Sequence, residues 1–160
     1  MTVDISQLLQ DSNNAYVGNG SYLMAQSFTP RANTIFGVSL YKISCVNHMD
    51  LTVSIRTNNA GVPSATVLTS KTYPAAEWEA FGVGLVYVPL TQVALTPGTL
   101  YWIHLGFSGG GTDYFGYYSS SVYTGGTYLE WNGSSWTNKL CDLTFKTHFL
   151  GVGSQAIITG

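Results

Sequence analysis

The sequence has few charged side chains and no cluster of one sign. Lys, Arg, Asp and Glu make up 9% of the 160 residues, and the net charge is −2. An average globular protein carries about 25% charged residues. The six basic residues are scattered singly along the chain, whereas a nucleic-acid-binding surface needs them on one face. We therefore expect no nucleic-acid partner.

Long apolar runs are also absent. No stretch approaches the roughly 20 consecutive apolar residues of a membrane-spanning helix, which predicts no membrane span. The first residues, MTVDISQLLQDSNNAY, lack the basic start, the apolar run and the small-residue cleavage site of a secretory signal. We expect a protein that is cytoplasmic, exported by another signal, or assembled inside a cell and released by lysis.

Motifs for catalysis are missing as well. No GxSxG, GxxxxGK or GxGxxG motif occurs, and the eight acidic residues form no evident pair for acid–base hydrolysis. We expect a protein that is not an enzyme and has no cofactor and no metal site, although one structural calcium on Asp113 or Asp142 stays open. Cys45 and Cys141 lie far apart with no CxxC motif, which favours two buried thiols over a disulfide.

Small hydroxyl, amide and glycine residues are abundant instead. Thr, Gly, Ser and Asn account for 61 of the 160 residues, and hydrophobic residues for 45%. A chain of this length buries about two thirds of its unfolded surface in a single domain. The sequence therefore predicts one compact core beneath an uncharged, hydroxyl-rich surface.

Apolar and polar residues alternate with a period of two along most of the chain, which is typical of half-buried strands. Asn132-Gly133 is the strongest hairpin turn signal. His104 and His148 fall within strands, and we interpret both as partly buried structural residues. A helical turn is plausible at 74–79. The predicted strands cover 23–29, 34–45, 51–56, 66–72, 84–90, 92–95, 100–107, 114–119, 128–131 and 142–149.

About ten short strands without an amphipathic helix predict an all-β protein, an antiparallel two-sheet β-sandwich of the jelly-roll type. We divide the chain into an N-terminal arm and lead-in (1–22), the jelly-roll sandwich (23–149) and a C-terminal tail (150–160). Both ends carry short apolar groups that we expect to form an assembly arm on a neighbouring subunit. These groups comprise Val3, Ile5, Leu8 and Leu9 at one end and Ala156, Ile157 and Ile158 at the other.

Aromatic residues are concentrated between positions 114 and 136, where Gly and Ser separate them. Alternation prevents all of these rings from being buried, and exposed Tyr and Trp rings suit sugar rings or a partner protein. We therefore predict a ligand or partner surface near the Asn132-Gly133 turn. Its members are Tyr117, Tyr118, Tyr123, Trp131 and Trp136.

Several segments resemble the choice-of-anchor domains, jelly-roll domains that look like carbohydrate-binding modules and recur in microbial surface proteins and in virion structural proteins. The resemblance covers about residues 23–149 and implies a non-catalytic sandwich without defined ligand residues. The segments that carry it are 25–30 (AQSFTP), 38–41 (VSLY), 51–56 (LTVSIR), 61–64 (GVPS), 67–68 (VL), 95–103 (LTPGTLYWI) and 142–146 (DLTFK).

The resemblance and the apolar arms together predict a structural protein of a virion surface: a capsid decoration, cement or fibre-type protein. We expect it to assemble as a homotrimer and to bind other virion proteins. The alternative is a carbohydrate-binding module, extracellular or on a cell surface, that contacts glycans through the exposed Tyr and Trp rings.

Overall fold

The fold is taken from a computed structural model that describes residues 2–8, 15–18, 22–46, 49–120 and 123–149. Leu9, Ala156, Ile157, Ile158 and the predicted tail lie outside these ranges. The described ranges contain thirteen strands and one short helix. In chain order these are β1 (Thr2–Gln7), β2 (Ala15–Gly18), β3 (Leu23–Phe28), β4 (Thr34–Val46), β5 (Asp50–Asn59), β6 (Val62–Tyr73), α1 (Ala75–Ala80), β7 (Gly84–Ala94), β8 (Tyr101–Ser108), β9 (Thr112–Tyr118), β10 (Tyr128–Trp131), β11 (Trp136–Asn138), β12 (Asp142–Leu143) and β13 (Phe145–Phe149).

The strands form two antiparallel sheets with jelly-roll connections, as predicted. One sheet contains the neighbours β2, β9, β4 and β7, and the other contains β3, β8, β5 and β6 in that order. The chain crosses between the sheets at nearly every step from β2 to β9, which is the double Greek key of a jelly roll. Five further strands extend this frame: β1, β12 and β13 in the first sheet, β10 and β11 in the second.

Local sequence explains most of these elements. The Asn132-Gly133 turn joins β10 to β11, with Trp131 opposite Trp136. The nearly continuous apolar run at 100–107 forms β8 in the middle of its sheet, between β3 and β5. The predicted strands 84–90 and 92–95 are instead one strand, β7. A register shift opposite Ile35 and Gly37 accommodates its extra residues, which is how a β-bulge interrupts a ladder.

The main core lies between the two sheets and is formed by the residues on the inward-facing side of the strands. Val53 and Ile55 of β5 meet Val38 and Leu40 of β4 within a single cluster of buried residues. Trp78 of α1 is fully buried in the same cluster and stacks against Phe115 at 5.9 Å between ring centroids. The helix therefore closes one edge of the core. No helix in the described ranges has the length and apolar character needed to cross a membrane.

Lys42 is a buried cation that holds the end of α1 in place. Its side chain is 3% exposed, and its ammonium donates hydrogen bonds to the carbonyl oxygens of Trp78, Glu79 and Phe81 at 2.7, 3.1 and 2.5 Å. The last carbonyls of a helix lack partners within the helix, and a cation is favoured there. Lys42 supplies both the hydrogen bonds and the charge.

Residues 2–7 of the predicted N-terminal arm form strand β1, which pairs with β13 of the same chain. Ile5 is 8% exposed and belongs to the main core. Val3 and Leu8 are 41% and 52% exposed. The structure thus assigns Ile5 to its own sandwich, while an assembly role for Val3 and Leu8 stays a prediction.

Candidate functional site

Two of the five predicted surface aromatics, Trp131 and Trp136, lie on the outer face of the second sheet. They face each other across the β10–β11 hairpin with ring centroids 5.7 Å apart. Trp136 also packs against a small cluster of buried residues, Ala25, Trp102 and Leu129. These three alternate with residues of the main core along their strands, so they lie on the opposite side of the sheet. We call Ala25, Trp102, Leu129 and Trp136 the outer-face cluster.

The outer-face cluster is a second, smaller core on the outside of the sandwich. Trp102 is fully buried, and its indole N–H donates a 3.0 Å hydrogen bond to Oδ1 of Asn58. Arg56 reaches along the same face and donates to Oγ of Ser54 at 3.2 Å. Trp136 therefore covers the buried residues of the cluster on one side, and Arg56 borders them on the other.

His104 lies beneath the Trp136 ring. Its ring centroid is 5.9 Å from that of Trp136, and only 5% of the residue is exposed. Its Nδ1 has no hydrogen-bond partner among the described residues. Burial, together with the nearby Arg56 charge, lowers the pKa of His104 to about 3. The imidazole is therefore neutral at physiological pH.

A row of neighbouring positions on the outer face runs from Trp131 to Thr72 with Gly106 in its middle, and we call this row the outer-face trough. Strand register places Gly106 opposite Thr52, and Thr52 opposite Thr72, whose hydroxyls are 2.9 Å apart. Leu23, one residue before the pair Met24–Leu105, lies next to Gly106 and opposite Trp131. Gly106 contributes no side chain, so the row has a gap between Leu23 and Thr52. A flat ligand with hydroxyl groups fits such a surface.

The other three predicted aromatics lie elsewhere. Tyr117 and Tyr123 pack against the main core, and Tyr118 is opposite Asp142 in the first sheet. The Tyr123 ring meets Phe145 edge to face at 5.5 Å. The five aromatics therefore do not share one surface, because the hairpin tryptophans and the tyrosines belong to different sheets or loops.

Residues 123–127 form a loop segment before β10, and buried polar side chains hold it in place. Asp142 is fully buried; its Oδ2 accepts the Tyr123 N–H at 2.9 Å and its Oδ1 accepts Nε2 of Gln26 at 3.3 Å. Ser27 Oγ accepts the Thr127 N–H at 2.7 Å. A Cβ on Gly126 would lie 2.0 Å from the Ser27 carbonyl oxygen, so only glycine fits there. The segment is therefore held at Tyr123 and at Thr127.

This loop forms one wall of a cleft at the end of the sandwich. The cleft has a volume of about 640 Å³, and a second of about 380 Å³ adjoins it through shared Asp4, Arg31 and Pro97. We call the two together the end cleft. The Asp4 carboxylate oxygen Oδ2 accepts the backbone N–H groups of Arg31 and Ala32 at 2.9 and 3.2 Å, which ties β1 to the segment after β3.

The sequence leaves open a structural calcium ion and a disulfide between the two cysteines. The described residues contain no group of three or more His, Cys, Asp or Glu side chains placed to hold a metal ion. Asp142, one of the two calcium candidates, has both carboxylate oxygens in hydrogen bonds to Tyr123 and Gln26. Cys141 is 2% exposed, and the side chain of Cys45 lies outside the described part of the chain.

No family model, curated protein or solved structure matches the chain.

Tyr123 was predicted from the sequence as a surface residue, but Asp4 and Arg31, the charged residues of the end cleft, were not identified. Asp4 and Arg31 are separated by 27 positions, and Gln26 and Asp142, which support the cleft wall, by 116. No local pattern connects residues at such distances. The paired glycines at 125 and 126 beside Tyr123 were the one available signal, because adjacent glycines indicate a tightly built loop.

Proposed function

We propose that the chain is a non-catalytic structural protein of a virion surface, which assembles through its N-terminal strand as a homo-oligomer. One observation carries this proposal: β1 is a terminal strand at the edge of its sheet, and the apolar residues Val3 within it and Leu8 directly after it are exposed. Jelly rolls are common in viral capsid proteins. The low charge and the hydroxyl-rich surface are compatible with close packing against other subunits.

The bulge in β1 indicates how such a contact would form. The ladder between β1 and β13 shifts register between Val3 and Ile5. Bulges and charged residues hinder extension of a sheet by another chain, and Asp4 lies at this bulge. We therefore expect Val3 and Leu8 to pack into a neighbouring subunit by their side chains, without a continuous intermolecular sheet.

Sedimentation velocity of the full chain tests assembly. We expect an oligomer, with a homotrimer as the predicted state, and dissociation to monomers in the Val3→Asp and Leu8→Asp variants. Leu140→Asp is the matched control, because Leu140 is 72% exposed and far from β1 in sequence. A wild-type chain that stays monomeric at about 100 μM, well above a micromolar dissociation constant, contradicts the assembly proposal. Proteomic detection in purified virus particles tests the virion location, and absence from particles refutes it.

A second candidate function is carbohydrate binding on the outer face. The observation that favours it is the trough between Trp131 and the Thr52 and Thr72 hydroxyls, since aromatic rings stack on sugars while hydroxyls bond them. Glycan-array binding should fall in Trp131→Ala and in Thr72→Val, with unchanged circular dichroism. Binding that both variants retain, or no binding by wild type to any glycan, contradicts this second candidate.

A further inference from the structure

Three polar groups with unused hydrogen-bonding capacity line the end cleft. Asp4 uses Oδ2 for two backbone N–H groups, and its Oδ1 makes no hydrogen bond with the described residues. The guanidinium of Arg31 makes none either. The Tyr123 hydroxyl oxygen accepts the Thr29 N–H at 3.3 Å, but its own proton has no acceptor there. All three residues line the same cleft of about 640 Å³.

Tyr123 and the backbone of the opposite wall are fixed from outside the cleft. Asp142 holds the Tyr123 backbone, the Tyr123 ring rests on Phe145, and Tyr123 lies directly over Gly125, where a Cβ would be 2.5 Å from its hydroxyl oxygen. The opposite wall is tied by a 2.9 Å hydrogen bond from the Gly98 N–H to the Pro30 carbonyl. Preorganised polar groups lose little entropy when they bind a ligand.

The unsatisfied groups define the chemistry of a ligand. The Arg31 guanidinium takes a carboxylate, which it can bind through two parallel hydrogen bonds. The free Asp4 oxygen takes a hydroxyl donor, and the Tyr123 O–H takes a hydroxyl or ring-oxygen acceptor. Burial raises the pKa of Tyr123, so its proton is retained at neutral pH. Pro30 and Pro97 add apolar surface for a ring's C–H face.

We propose that the end cleft is a binding site for an acidic sugar, a hydroxylated ring that carries one carboxylate, with the carboxylate on Arg31 and the hydroxyls on Asp4 and Tyr123. The larger of its two cavities, about 640 Å³, lies within the roughly 300–1,000 Å³ of small-molecule sites. The hydroxyl-bearing residues Ser6, Thr29 and Thr124 also line the cleft and favour a ligand with several hydroxyls over a simple carboxylate. This site is separate from the outer-face trough and from the exposed residues of β1.

Calorimetric titration of the full chain with D-glucuronate and D-galacturonate tests the proposal. We expect at least one uronate to bind with a millimolar dissociation constant, and neutral D-glucose to bind about tenfold or more weakly because it lacks the charge-assisted contact. Arg31→Gln should remove this preference. Lys71→Gln is the matched control, because it removes the same charge from an exposed residue outside the cleft.

Tyr123→Phe provides a second variant, which keeps the ring on Phe145 and removes the donor. We expect it to weaken uronate binding several-fold. The proposal is overturned if neither uronate binds at about 20 mM, far above the expected dissociation constant, if glucose binds equally well, or if L-serine binds more tightly than the uronates. Trp131→Ala should keep uronate binding, and Arg31→Gln should keep the oligomeric state. Failure here is therefore distinguishable from failure of either proposed function.

Discussion

Replacing Trp136 by alanine should destabilise the whole domain, although the residue lies on a surface hairpin. An enclosed aromatic side chain buries about 150–250 Å². Trp136 is only partly buried, so we take the area that its ring buries as about 100 Å². At about 25 cal/mol per Å² this burial contributes about 2.5 kcal/mol. The ring contacts with Trp131 and His104 add about 0.5–1 kcal/mol. We expect the free energy of unfolding to fall by about 3 kcal/mol.

Urea unfolding followed by far-ultraviolet circular dichroism measures this loss. Trp131→Ala is the matched control, because Trp131 contacts Trp136 across the hairpin but does not pack on the buried residues of the outer-face cluster. Trp131 is partly buried too, so its removal should cost about 1–2 kcal/mol. This is less than the cost for Trp136, because among the described residues Trp131 makes no ring contact with His104 and does not cover the cluster. The difference between the two losses in the free energy of unfolding measures how much Trp136 contributes by covering the buried residues of the cluster.

The pH dependence of stability provides an independent measure of how far Trp136 buries His104. The pKa of His104 is about 3 in the folded protein and 6.5 when exposed, so the unfolded chain binds the extra proton between these values. Stability is then complete above about pH 6.5 and falls towards pH 3, by at most about 1.4 kcal/mol per pH unit from this group. Trp136→Ala exposes the imidazole, raises its pKa and weakens this dependence.

His148 contributes in the same direction, since burial and the charge of Lys146 lower its pKa. It is far from Trp136 in the first sheet, so the difference between variant and wild type reports His104 alone. Proton NMR titration of the His104 imidazole provides the pKa directly. An unchanged pKa, or a loss of stability no larger than that of Trp131→Ala, would refute the outer-face cluster as a packed unit.

Three further variants test the buried polar groups and the glycine loop. Lys42→Met leaves the last carbonyls of α1 without their donor and should cost about 3 kcal/mol, with loss of hydrogen-exchange protection in the helix. Asp142→Asn places an amide donor against existing donors and should cost about 2 kcal/mol in urea unfolding. Gly126→Ala should cost at least about 3 kcal/mol in thermal melts, whereas Gly110→Ala, which meets nothing within 4 Å, should change stability by less than about 0.5 kcal/mol.

Most strands could be predicted from the sequence because the pattern that marks a strand depends on neighbouring residues. Alternation along 51–56 and the Asn132-Gly133 turn depend only on neighbouring residues, and both predicted elements are present as β5 and the β10–β11 hairpin. The break assigned within 84–95 was wrong, because a bulge opposite Gly37 lets one strand continue past Pro89. Pro89 is tolerated there since, among the described strands, β7 pairs with β4 alone, and proline within sheets is confined to such edge strands and to bulges.

The division of the aromatic residues was not accessible in the same way. Alternation shows that Trp131 and Leu129 share a face, but not that this face carries a core of its own. That core exists because Trp102, from a strand 27 residues earlier than Leu129, lies on the same side of the sheet. Only the strand order brings β8, β3 and β10 together, and a single sequence does not specify that order.

Lys42 and Asp142 share a role that the sheet itself cannot perform. Both are almost fully buried, and both bind backbone groups of irregular segments: three carbonyls at the end of α1 and the first N–H of loop 123–127. Ladder hydrogen bonds satisfy the backbone of the strands, whereas a loop against the core needs side-chain partners. Because removing either side chain leaves buried backbone groups of these segments unsatisfied, the two residues both stabilise the fold and fix where the loops lie. Their variants should therefore open α1 and the cleft wall locally, and the Asp142 variant should weaken ligand binding in the end cleft before the sandwich unfolds.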